Sequence, residues 1–157
     1  MTGREPLREV GVSVVRKDGV AKVTGAAQYL DDLVVPNVTF AALVRSPYAH
    51  ARIGRIDASA ALAVPGVLAI VTTDDLAELG ARCFGSYIKD QPVLARGVAR
   101  FEGEPVAAVV AADARAARRA AALVDVAYEE LPCVVDPTRA LAPGAPLVHE
   151  TAPPLGR

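Results

Sequence analysis

The chain has 157 residues, 52% of them hydrophobic and 22% charged, with a net charge of −1. That length and composition fit one folded domain burying roughly 70% of its unfolded surface, and argue against disorder. They exclude the clustered basic excess of a nucleic-acid-binding protein, and no apolar run reaches the ~18 residues of a membrane span.

Residues 1–10 are polar and predict a loose tail. From Gly11 the chain reads as loop and short strand, punctuated by the turn signals Asp18-Gly19, Thr24-Gly25 and Pro36-Asn37. Residues 38–44 (VTFAALV) are an apolar run of strand length, ended by Arg45-Ser46-Pro47. A second, half-buried strand is expected over 51–56, where Arg52 and Arg55 flank Ile53. Asp57-Ala58-Ser59 offers an N-cap for a short helix stopped by Pro65-Gly66. Residues 67–71 (VLAIV) predict a strand, and Thr73 a cap for the short helix DDLAEL, whose acidic first turn suits the helix dipole.

Residues 80–92 have no period and are expected to form a loop. Residues 106–111 (VAAVVA) are the strand with the strongest core character, and Asp113 should cap the one longer helix, over about 114–123. A strand follows over 124–128, ended by Leu131-Pro132, and Pro becomes dense after Asp136. Strands with short helices and one longer helix, without regular βαβ alternation, give an α+β fold with a mixed sheet.

With 4% aromatics and no Trp, the core must be built of Ala, Val, Leu and Ile. Cys83 and Cys133 are isolated, which argues for reduced thiols and against a zinc or iron–sulfur site. MTGREPLREVG has no apolar leader segment, so a cytoplasmic protein is expected. Arg outnumbers Lys 14 to 3 in an Ala-rich chain, which points to a GC-rich bacterial genome.

The stretch RSPYAHARI, residues 45–53, raises the question of a nucleophile–base pair made by Ser46 and His50, with Asp57 as third member. No G-x-S-x-G elbow is present, and Pro47 holds Ser46 extended rather than at a strand-to-helix turn. Its hydroxyl is then suited to satisfying loop backbone groups, and His50 to a backbone hydrogen bond across the corner. His149, beside Glu150, is expected in solvent. Asp31-Asp32, Asp74-Asp75 and Glu129-Glu130 read as solvated turns and helix starts, since adjacent acids on a strand point to opposite faces. Arg115, Arg118 and Arg119 share one solvated helical face, and Gly103-Glu104-Pro105 reads as a turn with Pro105 opening a strand.

No set of residues carries complete chemistry, but four motifs fall in a specific order. They are Lys22-Val23-Thr24-Gly25 with Tyr29 and Asp32; Ser46-Pro47 with Ala49-His50-Ala51-Arg52-Ile53; Gly103-Glu104-Pro105-Val106-Ala107; and Tyr128-Glu129 with Leu131-Pro132. Together they resemble the α/β-hammerhead domain that begins the molybdenum-binding large subunit of the xanthine dehydrogenase/aldehyde oxidase family. The resemblance implies a flexible tail over residues 1–10, the hammerhead over 11–147, and a linker over 148–157 toward molybdenum-binding domains. It implies a structural signature made of Ser46, His50, Arg52, Gly103, Glu104 and Pro105, with no catalytic, cofactor or metal ligand in this chain. It places Phe84, Tyr87 and Ile88 as candidates for the wall of a substrate funnel.

By the same resemblance, the complete enzyme oxidises aldehydes or N-heterocycles. It uses a molybdenum–molybdopterin cofactor, 2Fe–2S clusters and FAD, and the partners are the molybdenum-binding domains and FAD and 2Fe–2S subunits. A free-standing interaction or assembly protein that retains the fold without activity is the alternative.

Overall fold

The computed structural model describes residues 11, 13–78 and 83–149, so the expected tail over 1–10 and residues 150–157 of the expected linker lie outside it. The chain divides into two compact units, Met1–Asn37 and Val38–Arg157.

In the first unit, the stretch expected as loop and strand contains a helix, α1 (Gly19–Val23), and a 3-10 turn at Leu30–Asp32. The Asp18-Gly19 turn signal opens a helix because Asp18 holds residues on both sides of it. Its carboxylate meets Arg16 Nε and Lys22 Nζ, each at 2.6 Å, and its carbonyl accepts the Lys22 N–H. Arg16 first, then Lys22, lower the Asp18 pKa. The Thr24 hydroxyl bonds back to the Val20 carbonyl at 2.7 Å, and the helix stops there. In the 3-10 turn, the Asp32 carboxylate accepts the Tyr29 N–H at 2.9 Å.

The second unit contains strands β1 (Phe40–Arg45), β2 (Ala51–Asp57), β3 (Val67–Val71), β4 (Cys83–Phe84), β5 (Gln91–Pro92), β6 (Val98–Ala99), β7 (Pro105–Ala111) and β8 (Asp125–Glu130). Between them lie the helices α2 (Ser59–Leu62), α3 (Thr73–Glu78) and α4 (Ala114–Ala121). The α+β class stands, with short helices and one longer helix. The strands form two three-stranded sheets, β1-β7-β3 and β6-β2-β8, plus the short ladder β4-β5, and every described ladder is antiparallel. The corner at residues 46–50 lies where the chain passes from β1 in the first sheet to β2 in the second.

The core lies on one face of the first sheet. Along β7, Ala107, Val109 and Ala111 are fully buried, with Val44 of β1, Ala61 of α2 and Ala120 of α4 packed with them. Burying one such Val fully contributes about 1.5–3 kcal/mol. Helix α4 starts where the sequence expects, since the Asp113 carboxylate accepts the Arg115 and Ala116 N–H groups at 2.9 and 2.8 Å. It turns Ala116, Ala117 and Ala120 inward and leaves Arg115, Arg118 and Arg119 exposed. It ends at Ala121, two residues short of the expected limit.

Asp57 accepts from both the N–H (3.0 Å) and the hydroxyl (2.6 Å) of Ser59 at the start of α2. At α3 the cap falls one residue before the expected Thr73. The Asp75 carboxylate accepts the Thr72 N–H at 2.7 Å and its hydroxyl at 2.9 Å. These bonds lower the Asp75 pKa. In the second sheet Arg52 and Glu129 are directly opposed across β2 and β8, with Nε–Oε2 at 3.2 Å, both exposed.

Candidate functional site: the Ser46–Glu104 corner and the loop beside it

The two sequence motifs at the ends of β1 and β7 meet. The Ser46 N–H donates to the Glu104 carbonyl at 2.9 Å, and the Gly103 N–H donates to the Ser46 carbonyl at 2.8 Å. Arg45 adds a guanidinium bond to the Gly103 carbonyl at 2.7 Å. Gly103 has φ +89°, a conformation that a β-carbon disfavours, and it lets residues 101–104 turn back so that the Glu104 N–H reaches the Phe101 carbonyl. Pro105 then opens β7, where it needs no ladder N–H, and its carbonyl accepts the Ala95 N–H at 2.7 Å.

The side chains of the corner look inward. Ser46 is 2% exposed; its Oγ accepts the Tyr48 N–H at 3.1 Å and lies 3.1 Å from the Tyr48 carbonyl. Glu104 is 1% exposed, and its carboxylate takes the Arg100 backbone N–H on one oxygen and the Arg100 guanidinium, at 3.3 Å, on the other. A buried carboxylate without such partners costs several kcal/mol. The i, i+4 spacing of Arg100 and Glu104 was the available signal for this pair, but it sits in a turn, where helical spacing rules give no guidance.

His50 is half-buried, and its Nδ1 lies 2.7 Å from the Pro132 carbonyl, the kind of backbone bond the sequence suggests. The Leu131 N–H returns to the His50 carbonyl at 2.9 Å. Ser46 and His50 are thus each engaged elsewhere. Asp57 is held by Ser59 and by Arg55 at 2.7 Å, so the three do not form a hydrogen-bonded relay.

Beside the corner, Tyr48 and Tyr128 pack with ring centroids 5.3 Å apart and planes tilted by 53°. The Tyr128 hydroxyl is buried and has no hydrogen-bond partner. Burial raises its pKa; the nearby Ser46 hydroxyl opposes this, and Tyr48 adds to the rise. Ser46 is close enough to matter, yet its hydroxyl is committed to Tyr48, so no bond of sound geometry reaches the phenol.

The loop expected over 80–92 carries the ladder β4-β5, pairing Cys83 with Pro92 and Phe84 with Gln91. Residues 79–82 lie outside the described residues. At Gly85 (φ +152°) an added β-carbon would collide with the Ile88 carbonyl, so the hairpin is too tight there for a side chain. Phe84, Tyr87 and Ile88 are all exposed, Tyr87 to 88%. The structure does not bring the three together in one cavity. Phe84 lines a cavity of about 330 Å³ with Asp90, Pro92, Phe101, Glu104 and His149 among its walls; Tyr87 and Ile88 do not.

His149, expected in solvent, is half-buried there, with its Nε2 3.7 Å from Asp90 Oδ2. The contact joins distant parts of the chain, and nothing local in the sequence signals it. Phe101 and Arg100 line both this cavity and a neighbouring one of about 390 Å³ walled by His50, Pro132, Cys133 and Val135. Phe101 is a wall residue that the sequence reading missed; an aromatic between two polar residues in a turn was its only signal.

The profile described as "Aldehyde oxidase and xanthine dehydrogenase, a/b hammerhead domain" matches residues 24–132. The chain belongs to this family. It is 42% identical over 147 residues to the carbon monoxide dehydrogenase large chain of Afipia carboxidovorans, covering 93% of this chain and 18% of that one. It is 40% identical over 144 residues to the xanthine dehydrogenase molybdenum-binding subunit of Escherichia coli, covering 86% and 19%. Among solved structures, that of the Cu,Mo-CO dehydrogenase in its carbon monoxide reduced state superposes with a TM-score of 0.79 at 40% identity, over 87% of this chain and 17% of that one. The chain therefore spans about a fifth of the length of these relatives.

Among the described residues no three His, Cys, Asp or Glu side chains come together as a metal held by side chains alone would need. Glu104, the one buried carboxylate among the described residues, is already engaged by Arg100. Among the described residues, no helix is long and apolar enough to cross a membrane.

Proposed function

We propose that this chain serves as the hammerhead module of a molybdenum hydroxylase large subunit, contributing scaffold and part of the substrate approach rather than the reacting groups. The observation that carries the proposal is the 42% identity over 93% of the chain to a polypeptide of which it covers only 18%. The complete enzyme would use molybdopterin-bound molybdenum, 2Fe–2S clusters and FAD, supplied by the remaining large-subunit domains and by partner subunits. It would work in the cytoplasm, on neither nucleic acid nor a membrane. The substrate would be an aldehyde or an N-heterocycle.

In this role residues 11–147 form the module and 148–157 lead toward the molybdenum-binding domains. Ser46, His50, Arg52, Gly103, Glu104 and Pro105 keep its corner rigid. Phe84, Tyr87 and Ile88 stand at the side from which substrate approaches. Their exposure supports that assignment, since each has apolar surface free to meet another domain or a ligand.

Complementation tests the proposal. A carbon monoxide dehydrogenase large chain from Afipia carboxidovorans, deprived of its own hammerhead segment, would be co-expressed with the 157-residue chain. Recovery of an assembled large subunit is expected, and two proteins that never co-purify would count against the proposal.

A further inference from the structure

We propose that the apolar face of the β1-β7-β3 sheet opposite its core is the surface on which the remainder of the large subunit docks, an inference that rests on the module role above. Side chains on β7 alternate. Ala107, Val109 and Ala111 point into the core and are fully buried, whereas Ala108 and Val110 point the other way and are half-buried. The ladder register puts Leu43 and Ala41 opposite Ala108 and Val110 on one side, and Val71 and Ala69 opposite them on the other. These six residues form one continuous apolar patch across all three strands. Leu43 is 42% exposed, and Leu68, in the bulge between Val67 and Ala69, is 59% exposed.

No ionisable side chain stands among these positions, and Arg45, the charge at the end of β1, is tied to the Gly103 carbonyl. The face therefore has nothing to hold a phosphate, a nucleic acid or an anionic membrane, and suits an apolar protein surface. An antiparallel sheet leaves one face to water when that face alternates to polar residues; this one does not. The relatives suggest the occupant, because the stretch that matches this chain is 17–19% of their length and the rest of the polypeptide is joined to it. In those relatives the remainder of the large subunit is thus present at high effective concentration beside the domain.

The test uses the full 157-residue chain and, as probe, the Afipia carboxidovorans large chain lacking its hammerhead segment. Leu43→Lys and Leu68→Lys alter exposed side chains, and unchanged thermal melts verify that both variants fold. Arg119→Glu, on the solvated face of α4, is the control. The expected result is that each Lys variant weakens binding by at least about tenfold while the control does not, and that β1 and β3 amides gain exchange protection in the complex. Binding that both Lys variants leave intact overturns this inference alone and leaves the module role standing. A wild-type chain that does not bind the probe at all overturns both. A homodimer that Leu68→Lys dissolves, with probe binding unchanged, assigns the face to a second copy and overturns the inference.

Discussion

Ser46 and Glu104 are the only polar residues fully buried among those described, and they are hydrogen-bonded to each other through the main chain, Ser46 N–H to Glu104 carbonyl at 2.9 Å. The bond ties the turn before β7 to the corner after β1, at the point where the chain leaves one sheet for the other. The polar groups of this corner are satisfied within it. That is the arrangement of a rigid joint, and it accounts for a Ser, a His and several charges gathered in one place without a reaction among them.

Glu104→Ala should destabilise the chain by about 3–5 kcal/mol, because it strips Arg100 of its buried partner and leaves the Arg100 N–H unsatisfied. Glu104→Gln should cost less, since an amide oxygen can still accept the backbone N–H. Chemical denaturation of the two variants measures the difference; equal losses would mean that the charge is irrelevant.

His50→Ala should lower stability by about 1–3 kcal/mol, by leaving the Pro132 carbonyl without its donor. The loss should be the same whether or not any ligand is present. A melting temperature equal to that of the wild type would show that water replaces the imidazole at no cost, and would place His50 outside the joint.

Tyr128→Phe should be neutral or stabilising, by up to about 1 kcal/mol, since the hydroxyl it removes is buried without a partner. The packing against Tyr48 would persist. Thermal melts check the sign, and a loss above that size would reveal a hydrogen bond to the phenol.

Asp57 carries the clearest acid dependence. Hydrogen bonds from the Ser59 hydroxyl and N–H, with a further contribution from Arg55, lower its pKa to about 2. The folded state favours the charged carboxylate. The stability it lends is therefore complete above the ordinary carboxylate pKa near 3.8 and is lost as pH falls from there through about 2. The amide resonance of Ser59 should titrate with a midpoint near the lower value, and a midpoint at the ordinary one would show that the Asp57–Ser59 bonds are not formed.

The sequence made the local features legible and hid the distant ones. The Asp113 cap, the core character of β7 and its start at Pro105 depend on neighbours within a few residues, and each could be read from the sequence. The α1 helix was hidden because Asp-Gly marks a reversing turn and a helix start equally well, and the Arg16 and Lys22 partners decide between them. Strand β6 is two residues long, too short for any period. The division into two sheets follows from pairings of β2 with β8 and β1 with β7, which no local signal fixes. At the candidate site, Phe84, Tyr87 and Ile88 stood out as apolar residues in an aperiodic loop. Phe84 lines the 330 Å³ cavity and Tyr87 and Ile88 do not, an outcome set by long-range packing that no local signal carries.

In the proposed role the reacting groups come from elsewhere in the enzyme. Metal and flavin analysis of the purified 157-residue chain, grown with molybdate and compared with its complex with the hammerhead-deleted large chain, tests this most directly. Molybdenum is expected in the complex, and neither molybdenum, iron nor flavin at stoichiometric level in the chain alone. Stoichiometric molybdenum in the isolated chain would contradict that role.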